Sequence, residues 1–201
     1  LIHKGFHLAH NFDPVKWDRS GNESILVACK EGVHLLYPAG KNQWTARQMT
    51  EKGAGEVRLG KLPNGKRFIT SIEPMHGNEV VINPEAKSGL WSQNRVVIDN
   101  GLSQGHALVT GDFLGLGYDQ VVAGWRQKTG EDKKVGIRLY VASNKEGSEW
   151  TQHAVIDDNT MACEDMKAAD LDGDGDLDLV AAGRATKNVV IYWNKTIAGP
   201  K

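Results

Sequence analysis

One stretch carries the strongest structural signal in this sequence: Ala169-Asp170-Leu171-Asp172-Gly173-Asp174-Gly175-Asp176-Leu177-Asp178-Leu179-Val180-Ala181-Ala182-Gly183. Its five aspartates occupy alternate positions, two glycines lie between them, and an apolar run follows directly. Carboxylates this close together repel one another unless a cation lies between them. A short loop rich in carboxylates suits calcium, which takes about six to eight oxygen ligands. The sequence therefore predicts calcium bound by Asp170, Asp172, Asp174, Asp176 and Asp178.

An EF-hand is the main alternative for such a loop, but it requires a glutamate at the twelfth loop position and a helix on each side. The twelfth position here is Ala181. The runs that follow, Leu179 to Ala182 and Val189 to Trp193, are rich in β-branched and aromatic residues and are separated by a glycine-containing turn. This pattern indicates that the loop joins two strands.

Weaker copies of the loop occur upstream and are found by aligning the chain on Gly175. The equivalent glycines are Gly21, Gly65 and Gly117, so the intervals are 44, 52 and 58 residues. Two apolar runs follow each loop, and a further run begins with a tryptophan in Trp44 to Met49, Trp91 to Ile98 and Trp150 to Ile156. Four strands per unit at this interval are typical of propeller blades. We therefore expect an all-β fold, a β-propeller of four-stranded antiparallel blades.

The repeats predict a single domain over residues 1–201, with units at approximately 7–50, 54–100, 105–157 and 162–195. Residues Leu1 to His3 align with Val97 to Asp99 and Val155 to Asp157, which predicts a fourth strand belonging to a neighbouring or closing blade. Two arrangements follow. Either about four blades close a small ring, or the chain is part of a longer propeller with further blades.

The segment from Asp170 to Gly183 resembles the FG-GAP, or VCBS, repeat of calcium-binding β-propellers. The strong motif covers one unit, and the other three units match by pattern only. The resemblance implies that the loop joins the first two strands of a blade and binds calcium. It also favours an extracellular or periplasmic location, although the sequence itself leaves the compartment open.

Antiparallel alternation places a second set of residues on the face opposite the aspartate loop. Counting eleven residues back from each aligned glycine gives His10, His106 and Glu164, with Ala54 in the second unit and Glu56 close by. Asp165 adjoins this set. Counting forward to the next turn gives Arg126 and Arg184, flanked by Glu73, His76, Asn78 and Trp125.

Such a face can bind an anionic or polyhydroxylated ligand, or hold a second divalent metal through His10, His106 and Glu164. A ring of polar residues around a wet channel needs no ligand at all. We expect the ligand-binding residues to be Trp125, Glu73, Asn78, Glu164 and Asp165, with the Trp125 ring either stacking on a sugar or covering a cation.

Two functions are compatible with this pattern, and the sequence does not decide whether the protein is an enzyme. The first is a non-catalytic, calcium-stabilised propeller that recognises a carbohydrate or protein. The second is a sugar dehydratase or polysaccharide lyase that performs β-elimination, since some propellers of similar appearance do so. There His10 or His106 would be the base, His76 the acid, and Arg126 or Arg184 the group that stabilises the enolate.

Composition excludes several other classes of function. The net charge is −1 over 201 residues, with signs interspersed, which predicts no nucleic-acid binding. No apolar run approaches the roughly 20 residues needed to span a bilayer. Cys29 and Cys163 lie in separate apolar surroundings, so we expect two buried thiols and no disulfide.

Overall fold

A computed structural model of the chain describes residues 1–18, 21–87, 89–129 and 133–196. Within these residues the protein is all-β, with four antiparallel sheets and a single turn of 3-10 helix at Trp91–Asn94. No helix in the described ranges is long and apolar enough to cross a membrane.

The strands follow the chain in order, and each sheet is a meander in which consecutive strands pair. Sheet 1 contains β1 (Phe12–Val15), β2 (Ser24–Cys29), β3 (Gly32–Gly40) and β4 (Gln43–Gln48). Sheet 2 contains β5 (Glu56–Lys61), β6 (Arg67–Glu73), β7 (Glu79–Pro84) and β8 (Val96–Asp99). Sheet 3 contains β9 (Gly105–Gly111), β10 (Gln120–Trp125), β11 (Gly136–Ala142) and β12 (Trp150–Asp158). Sheet 4 contains β13 (Cys163–Ala169), β14 (Asp178–Gly183) and β15 (Asn188–Tyr192).

Each sheet lies within one of the four predicted repeats, and the aspartate loop joins β13 to β14. The fourth strand of sheet 2 is shorter than the sequence predicted, because Trp91 lies in the 3-10 turn and β8 begins only at Val96. Trp91 still packs into the core at 4% exposure. The tryptophan therefore keeps its packing role although it does not lie in a strand.

The first strands of consecutive sheets lie side by side, β1 next to β5, β5 next to β9 and β9 next to β13. Two side chains connect them: the Asp13 carboxylate accepts a hydrogen bond from Leu59 N at 3.1 Å, and Thr110 Oγ1 donates to Leu59 O at 2.7 Å. Strand pairing among the described residues does not form a closed ring.

The core lies between consecutive sheets rather than at one centre. Phe68 of sheet 2 packs in one cluster with Tyr140 of sheet 3. Val122 of sheet 3 packs with Leu179 of sheet 4, and Leu26 of sheet 1 with Ile69 of sheet 2. Burial of each such side chain contributes about 1.5 to 3 kcal/mol. The sheets are thus packed face against face, and the loops at their ends remain available to form a functional site.

Leu1 to His3, which the sequence predicts to be a strand of a neighbouring or closing blade, form no strand with the described residues. The segment instead lies against the β2–β3 turn of sheet 1. The His7 carbonyl accepts a hydrogen bond from Lys30 N at 2.9 Å, and the Phe6 ring packs on His34 with ring centres 4.7 Å apart. The segment around His7 is therefore attached to the first sheet, and Leu1 to His3 pair with no strand among the described residues.

Candidate functional site

Three histidines converge at one end of the sheets, opposite the aspartate loop. We call His10, His76 and His106 the histidine cluster; one ring nitrogen from each of them lies within 4.8 Å of the chosen nitrogens of the other two. The ring centres are 4.7 Å apart for His10 and His76, 5.0 Å for His10 and His106, and 4.7 Å for His76 and His106. The sequence placed all three on this face, and the structure brings them into contact.

Three different elements carry these side chains. His10 precedes β1 and is held by its N–H, which donates to Ala28 O at 3.0 Å. His106 lies in β9, and His76 lies in the β6–β7 turn with a left-handed φ of 52°. The next residue is Gly77, and a larger residue does not fit there, because a Cβ at this position would lie 2.1 Å from the Glu73 carbonyl oxygen. The tight turn therefore projects His76 toward the first strands.

Backbone carbonyls set the tautomers of two cluster members. His10 Nδ1 lies 3.0 Å from Gly55 O, and His106 Nδ1 lies 2.7 Å from Glu164 O. A carbonyl oxygen only accepts, so in the neutral rings each Nδ1 carries the proton and each Nε2 keeps its lone pair. Nε2 of His10 faces Nε2 of His76 at 2.9 Å. This arrangement is the one that metal-binding imidazoles commonly use.

Two glutamates flank the cluster. Glu164 Oε1 accepts a hydrogen bond from Arg126 Nη1 at 2.6 Å and lies 3.8 Å from His106 Nε2. On the other side, Glu56 is 1% exposed and its Oε1 lies 3.4 Å from His10 Nδ1. The repeat register pointed to Glu164, whereas Glu56 lies two positions beyond the aligned Ala54. Buried Oε2 of Glu164 accepts no hydrogen bond from the described residues.

These neighbours shift two histidine pKa values in opposite directions. The Glu56 carboxylate raises the pKa of His10 above its ordinary value, against the opposing effect of burial. Burial lowers the pKa of His76, and the nearby positive charge of Arg126 lowers it further. At neutral pH His76 is therefore an uncharged imidazole, the form that binds metals.

The remaining arginines and polar residues of the predicted site lie at its rim. Arg184 is exposed, with Nη1 3.8 Å from Glu164 Oε1. Asn78 is exposed and donates to Asn100 O at 2.9 Å. Asp165 is exposed beside Lys167, 3.5 Å away. The structure therefore places Arg126 in contact with the cluster and leaves Arg184, Asn78 and Asp165 around it.

Trp125 does not present an aromatic face to a ligand, contrary to the sequence expectation. It is 2% exposed, donates through Nε1 to Lys134 O at 2.7 Å, and carries the Arg138 guanidinium 4.5 Å from its ring centre. The ring is covered because it lies in the core between sheets 2 and 3.

Glu73 is likewise a structural residue, whereas the sequence predicted that it contacts a ligand. Its side chain is fully buried. Its Oε2 accepts hydrogen bonds from Arg95 Nε at 3.0 Å and Nη2 at 2.8 Å, and Oε1 accepts one from Ser71 Oγ at 2.8 Å. With both oxygens bonded inside the protein, the carboxylate has no access to a ligand.

The aspartate loop forms the second site, at the other end of the sheets. Carboxylate oxygens of Asp170, Asp172 and Asp174 lie within 4.8 Å of one another, and Lys195 Nζ lies 2.7 Å from Asp172 and 3.2 Å from Asp174. Asp176 and Asp178 lie outside this group of three and are buried. Asp178 accepts hydrogen bonds from Leu171 N at 3.0 Å and Asn194 N at 2.8 Å. The structure thus brings three of the five predicted ligands together.

Comparison with known proteins gives no matching family model for this chain and no matching curated protein.

Proposed function

We propose that this protein is a calcium-stabilised β-propeller of the FG-GAP/VCBS type, which binds a carbohydrate through a transition metal held by the histidine cluster. The observation that carries the proposal is the convergence of three imidazoles, in two of which, His10 and His106, Nδ1 faces a backbone carbonyl and Nε2 is left for a metal. The blade arrangement, the two metals and the ligand are parts of one proposal, each with its own support.

The blade arrangement is supported by the order of the strands and the position of the cores. The first strands of the four sheets adjoin one another, and each core cluster joins one sheet to the next. Radially stacked four-stranded sheets have this arrangement, with the first strands innermost. Loops from successive sheets then meet near the axis, which accounts for histidines so distant in sequence lying together.

A transition metal fits the cluster chemically. Three imidazole nitrogens with an open fourth position are typical of catalytic zinc sites, and imidazole also suits nickel, copper and iron. The Gly55 and Glu164 carbonyls supply the outer hydrogen bonds that orient such ligands. Glu164 lies on the open side, where its carboxylate can complete the coordination or accept a proton.

The charges around the cluster favour an oxygen-rich ligand. A bound metal attracts hydroxyl and carbonyl oxygens, and Arg126 and Arg184 add positive charge around Glu164. Arg126 also lies 3.4 Å from His76 Nδ1 through Nη2. A ligand with adjacent hydroxyl or carbonyl oxygens, such as a sugar, can contact the metal and Arg126 together.

A second candidate function, β-elimination on a sugar, is favoured by the Glu164 carboxylate beside the cluster. In this reaction a base removes the proton next to a carbonyl, the enolate oxygen is stabilised, and the β-hydroxyl leaves as water after receiving a proton. A histidine bound to a metal has no lone pair for a proton. With metal bound, the base would therefore be Glu164 rather than His10 or His106, the Glu164 carboxyl would return the proton to the leaving hydroxyl, and Arg126 would stabilise the enolate.

Metal titration tests the proposal directly. We expect the purified chain to bind one cobalt ion per molecule, with the visible absorption of a low-symmetry site, and zinc to displace it. His76→Ala should abolish this absorption, and His153→Ala, which changes an exposed histidine of β12, should leave it unchanged. Equal cobalt binding by wild type and His76→Ala would refute the metal site. Elimination is followed as new ultraviolet absorbance from an unsaturated sugar.

A further inference from the structure

A groove adjoins the histidine cluster on the same face. It has a volume of about 730 Å³ and runs from His76 between three connections, the β6–β7 turn, the segment joining β8 to β9, and the segment following β10. This volume lies within the roughly 300 to 1,000 Å³ typical of ligand sites. A molecule bound at the cluster can therefore extend into the groove.

Backbone hydrogen bonds hold the three connections together. Leu102 N donates to Asn78 O at 3.2 Å, Gly105 N to Gly77 O at 2.8 Å, and Gln127 N to Ser103 O at 3.1 Å. Because these bonds fix the walls without any ligand, the groove is formed in advance, which lowers the entropy cost of binding.

The described residues of the groove walls are polar but carry almost no net charge. Its polar side chains are mainly amides and hydroxyls: Asn78, Asn100, Ser103, Gln104, Gln127 and Thr129. Arg138 is the only arginine or lysine among the described lining residues, and its Nη1 donates to Asp99 Oδ2 at 2.9 Å. No aspartate or glutamate lines the groove in the described part of the chain. The charge of Arg138 is thus already balanced.

Several of these amides have hydrogen-bonding capacity left. Gln104 Oε1 accepts from Arg126 Nε at 3.1 Å, and no described residue accepts a hydrogen bond from its Nε2. Asn100 and Gln127 are exposed, and their side chains make no hydrogen bond within the described residues. Each amide group offers both a donor and an acceptor, as a sugar hydroxyl does. Gln104 also joins the groove to the cluster through Arg126.

We infer that the groove binds the uncharged sugar residues of an oligosaccharide whose terminal unit lies at the histidine cluster. This inference rests on the proposed carbohydrate function and narrows it to neutral sugars. A polyuronate carries one carboxylate per residue, and a buried or partly buried anion requires a cation or charge-assisted donor. Arg138, the one arginine among the described lining residues, is already paired with Asp99. A protein partner is disfavoured, since no tryptophan, tyrosine or phenylalanine lines the described part of the groove as an anchor.

The experiment compares neutral and acidic probes by calorimetric titration of the whole chain. The neutral probes are tetrasaccharides of glucose, mannose and galactose, and the acidic probe is tetragalacturonate. We expect a neutral tetrasaccharide to bind more tightly than tetragalacturonate. The double variant Asn100→Ala/Gln127→Ala should bind it about tenfold more weakly, since two hydrogen bonds are lost. Gln152→Ala, an exposed amide on β12, is the matched control and should bind as the wild type does.

Cobalt binding separates this inference from the metal proposal. The double variant should keep the cobalt absorption, which shows that it is folded, while His76→Ala loses it. If the chain binds no cobalt but the neutral probe binds and is weakened by the double variant, the groove stands and the metal proposal fails. Tighter binding of tetragalacturonate, absence of binding by every neutral probe, or unchanged affinity in the double variant would overturn the groove.

Discussion

Replacing Arg95 by methionine should destabilise the fold severely, because it removes the cation from a buried carboxylate. Two guanidinium nitrogens of Arg95 donate to Oε2 of Glu73, which is fully buried. Breaking one side of a buried ion pair costs about 3 to 5 kcal/mol. For a domain of this size the melting temperature should fall by roughly 6 to 20 °C. Differential scanning calorimetry of wild type and Arg95→Met measures the change.

The pH dependence of the variant gives a second signature. Burial raises the pKa of Glu73, and Ser71 and Arg95 oppose this rise. A carboxyl whose folded-state pKa exceeds its unfolded value binds its proton more tightly in the folded protein, so stability falls as the pH rises through these two values. Loss of Arg95 raises the folded-state pKa further. The deficit of Arg95→Met should therefore be greatest at neutral pH and shrink toward the ordinary glutamate pKa of 4.5.

Lys52→Met is the matched control. Lys52 pairs with Glu79 at 3.0 Å, but its side chain is 56% exposed, and such surface pairs contribute at most about 1 kcal/mol. If Arg95→Met lost no more stability than Lys52→Met, or if its deficit did not change with pH, Glu73 would not be the buried, paired anion described above. It would then again be free to contact a ligand beside His76.

Three further predictions concern the aspartate loop, the core and the thiols. Calcium at a hundredfold excess over its dissociation constant should stabilise the fold by about 2.7 kcal/mol relative to chelator. Asp172→Asn should lose most of the accompanying rise in melting temperature. An unchanged wild-type melting temperature in chelator would count against the site. Gly60→Ala should cost about 1 to 3 kcal/mol in thermal unfolding, because the new Cβ would lie 2.3 Å from the Phe68 ring; an unaltered melting curve would contradict this packing. Burial raises the pKa of the Cys29 thiol to about 11 and that of Cys163 to about 12, so neither should react with a disulfide reagent at neutral pH until the protein is unfolded; rapid labelling of the native chain would show an accessible thiol.

The repeat register predicted the strands, the position of the aspartate loop and the face of the histidines. A register derived from several units constrains each position several times, so His10, His106 and Glu164 emerged from sequence alone. The register does not predict how deeply a side chain is buried, however. Trp125 and Glu73 lie at the predicted end of their strands, yet Arg138 covers the first and Arg95 pairs with the second.

The strand expected at Leu1 to His3 shows another limit of pattern matching. Three residues that resemble the end of a strand do not specify which edge they pair with, since pairing depends on the position of the whole segment. Here the contacts of Phe6 with His34 and of His7 with Lys30 hold the segment on sheet 1. These local contacts, one between rings and one between backbone groups, are not encoded in the repeat pattern.

The third and fourth loops together separate the residues that form the turn from those that suit a cation. Asp112 accepts hydrogen bonds from Leu116 N at 2.8 Å and Gly117 N at 2.7 Å. In the fourth loop Asp170 accepts one from Gly175 N at 3.1 Å, the equivalent position. The first aspartate of each loop thus closes the turn by accepting backbone N–H groups, a role that requires no metal.

Other acidic residues of the fourth loop also accept backbone N–H groups within it: Asp172 from Asp174 N at 3.4 Å, Asp174 from Asp176 N at 3.1 Å and Asp178 from Leu171 N at 3.0 Å. The third loop has Leu114 and Leu116 where the fourth has Asp172 and Asp174, and it still forms the same turn. Gln120 occupies the position of Asp178 in the third loop, and its Nε2 donates to Tyr118 O at 2.6 Å. Since an equivalent turn forms without these extra carboxylates, the turn does not explain their presence. Lys195 offsets the charge of Asp172 and Asp174 in the structure. Carboxylates beyond those that the third loop needs to form its turn fit the calcium site that we propose for the fourth loop.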